Sequence, residues 1–458
     1  MAAVTANDEP KNYGEAVKIK VWVDAMVKEI DALEINDTWE IVDLPPGKMA
    51  IGCNWIYKLK FNSDGTIERH KARLVSLGNR QTEDVDYDET FAHVVKMTTI
   101  RMFLKVAAAK QWVVHQMDVN NVFLHGDLEE EVYMRLPPGF KSAGSNKVCK
   151  LKKALYGLKQ APRCWFSKLT AALCGYGFKQ SHSNSSLFML TRGASRLYVL
   201  VYVDDLIIGD DDAEAVDRFK GYLGECFHMK DLGLLKYFLG IEVARSDKGF
   251  YLSQRKYVLD IINECGLLGG RTVTTPIEEH HQLLRRGDDY YEDPERYRRL
   301  IAYCDSDYAA CPVTRRSLTG FAEMLGDSPI NWKTKKQRVV SRSSTEAEYR
   351  SMADTTNELK WDRELLSCFG VQQTEPMRLY CDNQSALYIA NNPVFHERTK
   401  NVETDCYYVR DEIQNGSLQT AKIHTSEQPA DIFTKALGSS LFMYLSRKLG
   451  ICDLHAPT

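Results

Sequence analysis

The chain has 458 residues, 44% hydrophobic and 26% charged, with a formal net charge of −3. That balance excludes a collagen-like or low-complexity polymer, gives no overall positive charge to mark a nucleic-acid binder, and leaves room for two or three domains with cores of their own. Twelve cysteines form neither a Cys-x-x-Cys pair nor a Cys/His cluster at zinc spacing, so they read as reduced core cysteines and not as a disulfide framework or zinc site. Met1 to Lys11 is polar, and no run is long and apolar enough to span a bilayer; the expected setting is intracellular, with no membrane partner.

Glu15 to Leu33 places Val17, Val21, Met26, Ile30 and Leu33 at roughly helical spacing, which predicts an amphipathic helix. Pro45-Pro46-Gly47 then breaks the chain. Asn54 to Lys60 and His70 to Leu77 alternate apolar and polar residues around Asn62-Ser63-Asp64-Gly65, the pattern of a β-hairpin. Its second strand carries Arg69, His70, Lys71 and Arg73, which either guard a sheet edge or form a lid over a polyphosphate. Thr98 to Gln111 reads as a helix, and Trp112 to Val119 as a strand that ends in Asp118. Lys147 to Lys168, interleaved with Tyr156 and Trp165, and Lys333 to Arg342 are acid-free basic runs; each suits a phosphate backbone or a solvated helix face.

Leu197 to Gly209 is the most telling stretch. Two apolar, β-branched runs flank Asp204 and Asp205, the pattern of a buried hairpin whose two-residue tip carries both charges. Adjacent carboxylates repel unless a cation lies between them, so the tip reads either as a solvated acidic turn or as the seat of a divalent metal. If the strand ending in Asp118 is a neighbour in the same sheet, three carboxylates converge on a two-metal site. One ion would activate an attacking hydroxyl and the other stabilise a leaving pyrophosphate.

Several words of sequence follow one another in a fixed order: Arg69-His-Lys-Ala-Arg-Leu-Val75, Tyr87-Asp-Glu-Thr-Phe91, His115-Gln-Met-Asp-Val119, Phe123-Leu-His-Gly126, Leu155-Tyr-Gly-Leu-Lys-Gln-Ala-Pro-Arg163 and Tyr202-Val-Asp-Asp205. Through them Trp55 to about Leu268 resembles the reverse transcriptase of copia-type long-terminal-repeat retrotransposons. The resemblance implies an α+β fold, a right-hand polymerase with fingers and a ferredoxin-like palm sheet. It implies that Asp118 and Asp204 bind metal with Asp205 as the hairpin's second carboxylate, and that Lys71 and Arg73 grip the incoming triphosphate. It implies that Phe123 excludes a ribose 2′-hydroxyl, that Gln160 steadies nucleotide and template, and that Phe238 to Val243 with Gly249 to Leu252 holds the primer end. His93 stands where the family usually has proline, and Asn184-Ser185-Ser186 replaces the usual residues before Leu187-Phe188.

Farther on, Ile301-Ala-Tyr-Cys-Asp-Ser-Asp307 and Arg378-Leu-Tyr-Cys-Asp382 read as strands ending in acids, Ser343-Ser-Thr345 caps a helix, and Pro429-Ala-Asp-Ile-Phe-Thr-Lys435 opens a final helix. Glu346 and Glu348 lie about 200° apart on a helix, so only one can face a given site. The order Asp, Glu, Asp, Asp, together with Ser343-Ser-Thr-Glu-Ala-Glu-Tyr349, resembles the ribonuclease H module that follows the polymerase in the same family. That resemblance implies an α/β ribonuclease H-like domain in which Asp305, Glu348, Asp382 and Asp431 bind metal and His424 is a mobile histidine. Asn401 and Tyr407 replace histidines usual there.

The expected organisation is a helical lead-in (1–38), fingers and palm (39–277), a polar tether (278–300), a nuclease domain (301–440) and a tail (441–458). The resembled family places a thumb and connection of several dozen residues after Tyr297-Arg-Arg-Leu-Ile301, whereas here Leu300 and Ile301 run straight into the next strand, so the expectation is that this piece is deleted. What remains, Pro276 to Leu300, is polar, and about 25 flexible residues span on the order of 28 Å and cannot clamp a duplex. The leading expectation is an RNA-directed DNA polymerase with ribonuclease H activity, using two Mg2+ per site (or Mn2+) on an RNA template, DNA primer, RNA–DNA hybrid and dNTPs. Alternatives are an impaired retroelement relic that only binds nucleic acid, and a stand-alone hybrid nuclease. Other polyprotein products are expected partners, and a cytoplasmic particle or the nucleus the expected location.

Overall fold

The computed structural model describes residues 9–61, 66–140, 146–193, 195–210, 212–246, 249–267, 269, 300–311, 313–392 and 403–451. The tether expected at 278–300 therefore lies almost wholly outside the described residues, as does Asn401. The chain forms two compact units: Met1–Val94 with Val114–Gln180 and Ser185–Leu234, and Val95–Val113 with Ser181–Asn184 and Leu235–Thr458.

The first unit holds a six-stranded sheet in the order Met229–Leu234, Val113–Val119, Asp205–Asp210, Ser195–Tyr202, Leu187–Arg192, Lys179–Gln180. Its central hairpin is buried because Leu197, Val199, Val201, Leu206 and Ile208 pack against Trp165, Leu169 and Leu173 of helix Ala161–Tyr176 and Val216, Phe219 and Leu223 of helix Ala213–Cys226. The hairpin tip differs from expectation. Tyr202 pairs with Asp205, so the turn is Val203-Asp204 and only one of the two acids sits at the tip; Asp205 opens the returning strand. Val203 takes a positive φ of 55°, a conformation that costs a β-branched residue and recurs at functional sites. The indole of Trp165 donates to the Val203 carbonyl at 2.7 Å and holds the turn.

The basic hairpin forms as read, with Cys53–Phe61 antiparallel to Ile67–Ser76. Trp55, Tyr57, Leu59, Ala72 and Leu74 share a core with Trp22, Met26 and Leu33 of helix Lys20–Ile35. The single helix expected over 15–33 is two, Tyr13–Ala16 and Lys20–Ile35.

The second unit is built on a five-stranded sheet, Ser328–Lys336, Leu318–Leu325, Leu300–Asp307, Met377–Cys381, Leu418–Lys422. The first three strands run antiparallel and the last two parallel to their neighbours, the order and directions of a ribonuclease H-like unit. Helix Ser344–Cys368 starts where the Ser343 hydroxyl accepts from Glu346 N at 3.1 Å. Helix Met97–Ala109 also belongs here: Arg101 lies 3.9 Å over the Trp332 ring and donates to the Ile330 carbonyl. The final helix does not begin at Pro429. Pro429–Phe433 is a 3-10 turn, and the helix follows at Ser439–Lys448; between them the Thr434 hydroxyl donates to Asp305. No helix among the described residues is long and apolar enough to cross a membrane.

Two candidate metal centres

In the first unit, sheet order decides the site. Val113–Val119 and Asp205–Asp210 are neighbours, and the Val119 N–H donates to the Asp204 carbonyl at 3.0 Å, which brings Asp118 beside the hairpin turn. Burial, and then Asp204, raise the pKa of Asp118, while Lys230, Lys71 and Arg73 pull it partly back. Burial likewise raises Asp205, with Asp204 and Asp118 adding to it, against a hydrogen bond from Gln116 at 2.9 Å. The raised values mark negative charge gathered with too little positive charge beside it, a situation that a divalent cation would relieve.

The basic strand faces this cluster. Lys71 and Arg73 alternate on one side of the ribbon, and burial and mutual repulsion with Arg73 and Arg69 lower the pKa of Lys71. Arg73 lies 4.0 Å over the ring of Tyr156, whose other neighbour is Phe123 at 5.0 Å, edge-on. Burial pushes the Tyr156 hydroxyl up to about 12, with Asp204, Glu29 and Asp118 nearby. The structure thus brings Lys71, Arg73, Phe123, Asp118, Asp204 and Asp205 into one region. Gln160 stands apart from that pattern: it is buried, its amide accepts from Gln81 at 3.0 Å and donates to the Asp86 carbonyl at 2.9 Å. Both ends are spent bracing 81–86.

In the second unit, register does the work. Ile301 pairs with Arg378 and Tyr303 with Tyr380; carried two residues on, this sets Asp305 beside Asp382. Asp305 lies opposite Gly320, where a Cβ would come within 2.5 Å of Thr434 Cγ2 and 3.0 Å of Phe433 Cβ. The bare glycine lets the Pro429–Phe433 turn close onto the sheet and deliver Asp431. Asp305, Asp382 and Asp431 each offer an oxygen within 4.8 Å of one another, and Glu348, Cys381 and Asp382 form a second such group. Of the two glutamates on the helix, Glu348 points inward and is buried, while Glu346 binds Arg350 and the Arg342 backbone.

Burial and then Asp305 push Glu348 up to about 10 and Asp431 to about 7, the signature of an acidic pocket short of positive charge. Lys435 donates to Asp305 at 2.9 Å and Asp431 at 2.8 Å; burial lowers its pKa, but the two carboxylates outweigh that and raise it. Thr434 donates to Asp305 and Thr425 to Asp382. His424 does not join the carboxylates directly: it is exposed, with Nδ1 2.8 Å from the Ser426 hydroxyl, next to the Thr425 that holds Asp382. Sequence reading missed Gln116, Tyr156, Gly320, Thr434 and Lys435. The last two sit inside the word that supplied Asp431, but nothing in their spacing tells that they fold back onto Asp305.

Residues 36–279 match the family model for reverse transcriptase (RNA-dependent DNA polymerase). The retrovirus-related Pol polyprotein from transposon RE2 of Arabidopsis thaliana is 39% identical over 512 aligned positions, covering 98% of this chain and 35% of that protein. The corresponding protein from transposon TNT 1-94 of Nicotiana tabacum is 32% identical over 93% of this chain and 37% of its own length. The chain thus spans about a third of these curated relatives. A foamy viral protease-reverse transcriptase solved in complex with double-stranded DNA overlaps 88% of this chain and 69% of its own, at 11% identity and a TM-score of 0.40, a likeness too loose to build on. The chain belongs to the reverse transcriptase (RNA-dependent DNA polymerase) family, in its copia-type retrotransposon branch.

Proposed function

We propose that the chain is an RNA-directed DNA polymerase whose second unit hydrolyses the RNA strand of an RNA–DNA hybrid. The observation that carries the polymerase reading is the Val119 to Asp204 backbone hydrogen bond, which draws carboxylates from distant parts of the chain to one end of the sheet. Divalent ions held there, Mg2+ or Mn2+, would supply the activated hydroxyl and the charge on the leaving pyrophosphate. Asp118 and Asp204 would hold them, with Asp205 fixed by Gln116 as a supporting acid. Lys71 and Arg73 would bind the triphosphate of an incoming dNTP, and Phe123, backed by Tyr156, would close the space beside its sugar. In the second unit Asp305, Glu348, Asp382 and Asp431 would hold the ions, and His424, on the exposed turn beside Asp382, would work at the rim.

The relatives bear on how well the polymerase grips. The RE2 alignment runs over 512 positions, more than this chain's 458 residues, so the relative carries residues with no counterpart here. We place that shortfall at the thumb and connection, where Pro276 to Leu300 is polar and short, and expect weak, distributive extension in consequence, since grip comes from phosphate contacts spread over the duplex. The shortfall also favours a second reading, a hybrid nuclease that no longer polymerises. The test is primer extension on poly-A with oligo-dT beside cleavage of a labelled RNA–DNA hybrid, with Asp204→Asn and Asp382→Asn variants. Each variant is expected to abolish one activity and spare the other. Cleavage without extension selects the nuclease; loss of both activities in the parent chain refutes the enzyme reading.

A further inference from the structure

Lys435 occupies a particular position in the second centre. Its ammonium bridges Asp305 Oδ1 and Asp431 Oδ1 at 2.9 and 2.8 Å, two of the three acids that lie within ligand distance of one another. Asp305 is wholly buried and its other oxygen accepts from Thr434, so both of its oxygens are engaged within the pocket. A divalent ion seated between Asp305 and Asp431 needs the lone pairs that Lys435 now uses, and two cations cannot share them without strong repulsion in so buried a place. The lysine side chain is 33% exposed, and its flexible four-carbon stem gives it a way out to solvent.

We propose that Lys435 is a built-in stand-in cation: it holds the acidic pocket together before metal arrives and must leave for metal to bind, so it sets the metal affinity of this centre. Lys435 is then a positioning residue, and the inference rests on reading the centre as a metal site for hybrid cleavage. The test uses the full chain carrying Asp118→Asn and Asp204→Asn, so that Mn2+ uptake reports on the second unit, with free Mn2+ read by electron paramagnetic resonance and unfolding followed in EDTA. Lys435→Gln is expected to bind Mn2+ about tenfold more tightly and to unfold at lower temperature in EDTA. Lys435→Arg, whose fork grips carboxylates harder, is expected to keep the stability in EDTA and bind Mn2+ several-fold more weakly.

Equal or weaker Mn2+ binding by Lys435→Gln overturns the proposal. If that variant does not fold without metal, unchanged affinity in Lys435→Arg overturns it instead. Hybrid cleavage by the same Lys435 variants in the parent chain separates the two claims. Affinity that follows residue 435 without any cleavage sinks only the nuclease reading, whereas cleavage with affinity indifferent to residue 435 sinks only the stand-in.

Discussion

The two acidic centres are assembled in opposite ways. In the first unit the carboxylates are half-buried at one end of the sheet, brought together by strand adjacency and a strained Val203 turn, and the offsetting positive charge comes from Lys230 on the neighbouring strand and from Lys71 and Arg73 of a separate ribbon. In the second, Asp305, Glu348 and Asp431 are buried by a helix and a turn closing on the sheet, and a lysine is already inserted among them. The difference teaches that a half-buried cluster, still reached by solvent, can wait for its cation, whereas a fully buried one needs an internal charge or bound protons until metal comes.

The comparison is sharpest where single acids are removed. Asp118→Asn and Asp204→Asn are each expected to lower primer extension by more than about a hundredfold. Asp205→Asn, whose acid already accepts from Gln116, should lose about tenfold, and none of the three should alter hybrid cleavage. Equal losses for all three, measured by initial extension rates, would break the ranking.

Closure of the second centre depends on Gly320. A methyl there collides with Thr434 and Phe433, so Gly320→Ala is expected to cost about 1–3 kcal/mol by urea unfolding and to remove hybrid cleavage while leaving extension in place. Retained cleavage would show that the turn can shift without losing Asp431.

Away from both centres, Glu323 and Asp362 form a buried acid pair in the second unit. Burial pushes Glu323 up to about 8, and burial with Glu323 beside it raises Asp362 well above the usual range. Because the fold keeps protons that the unfolded chain releases, their contribution is complete below the ordinary carboxyl range and is lost as pH rises toward the folded values. Between about pH 5 and about pH 8 the stability of this unit should fall by more than about 1 kcal/mol, and Asp362→Asn should flatten the slope. A slope unchanged in that variant would assign the effect to other groups.

The smallest effect is expected at Tyr156. Removing its ring in Tyr156→Leu frees Arg73 from a contact worth about 0.5–1 kcal/mol, so KM for dNTP should change two- to fivefold, by about that energy, with Tyr156→Phe unchanged. A Phe variant as impaired as Leu would point to the hydroxyl instead.

The residues that were legible in sequence are those whose role is local. Strand-end acids such as Asp118 and Asp305, the Ser343 cap and the alternating 53–61 and 67–76 hairpin all announce themselves through neighbours in the chain. Helical geometry alone allowed one of Glu346 and Glu348 to face inward; packing chose Glu348. What stayed hidden is set by partners far away in sequence: Gly320 is small because Thr434 must pass, Lys435 folds back onto Asp305, and Gln160 is spent on Gln81 and Asp86. Helix Met97–Ala109 reads correctly as a helix, yet nothing in its own spacing shows that Arg101 stacks on Trp332.

The most direct test is anomalous scattering from crystals of the full chain soaked in Mn2+. Separate peaks are expected against Asp118 and Asp204 and within the pocket of Asp305, Asp382 and Asp431, the latter with Lys435 swung out. No peak at either place, or manganese bound in the second pocket with Lys435 still bridging its two acids, would contradict the two-centre account.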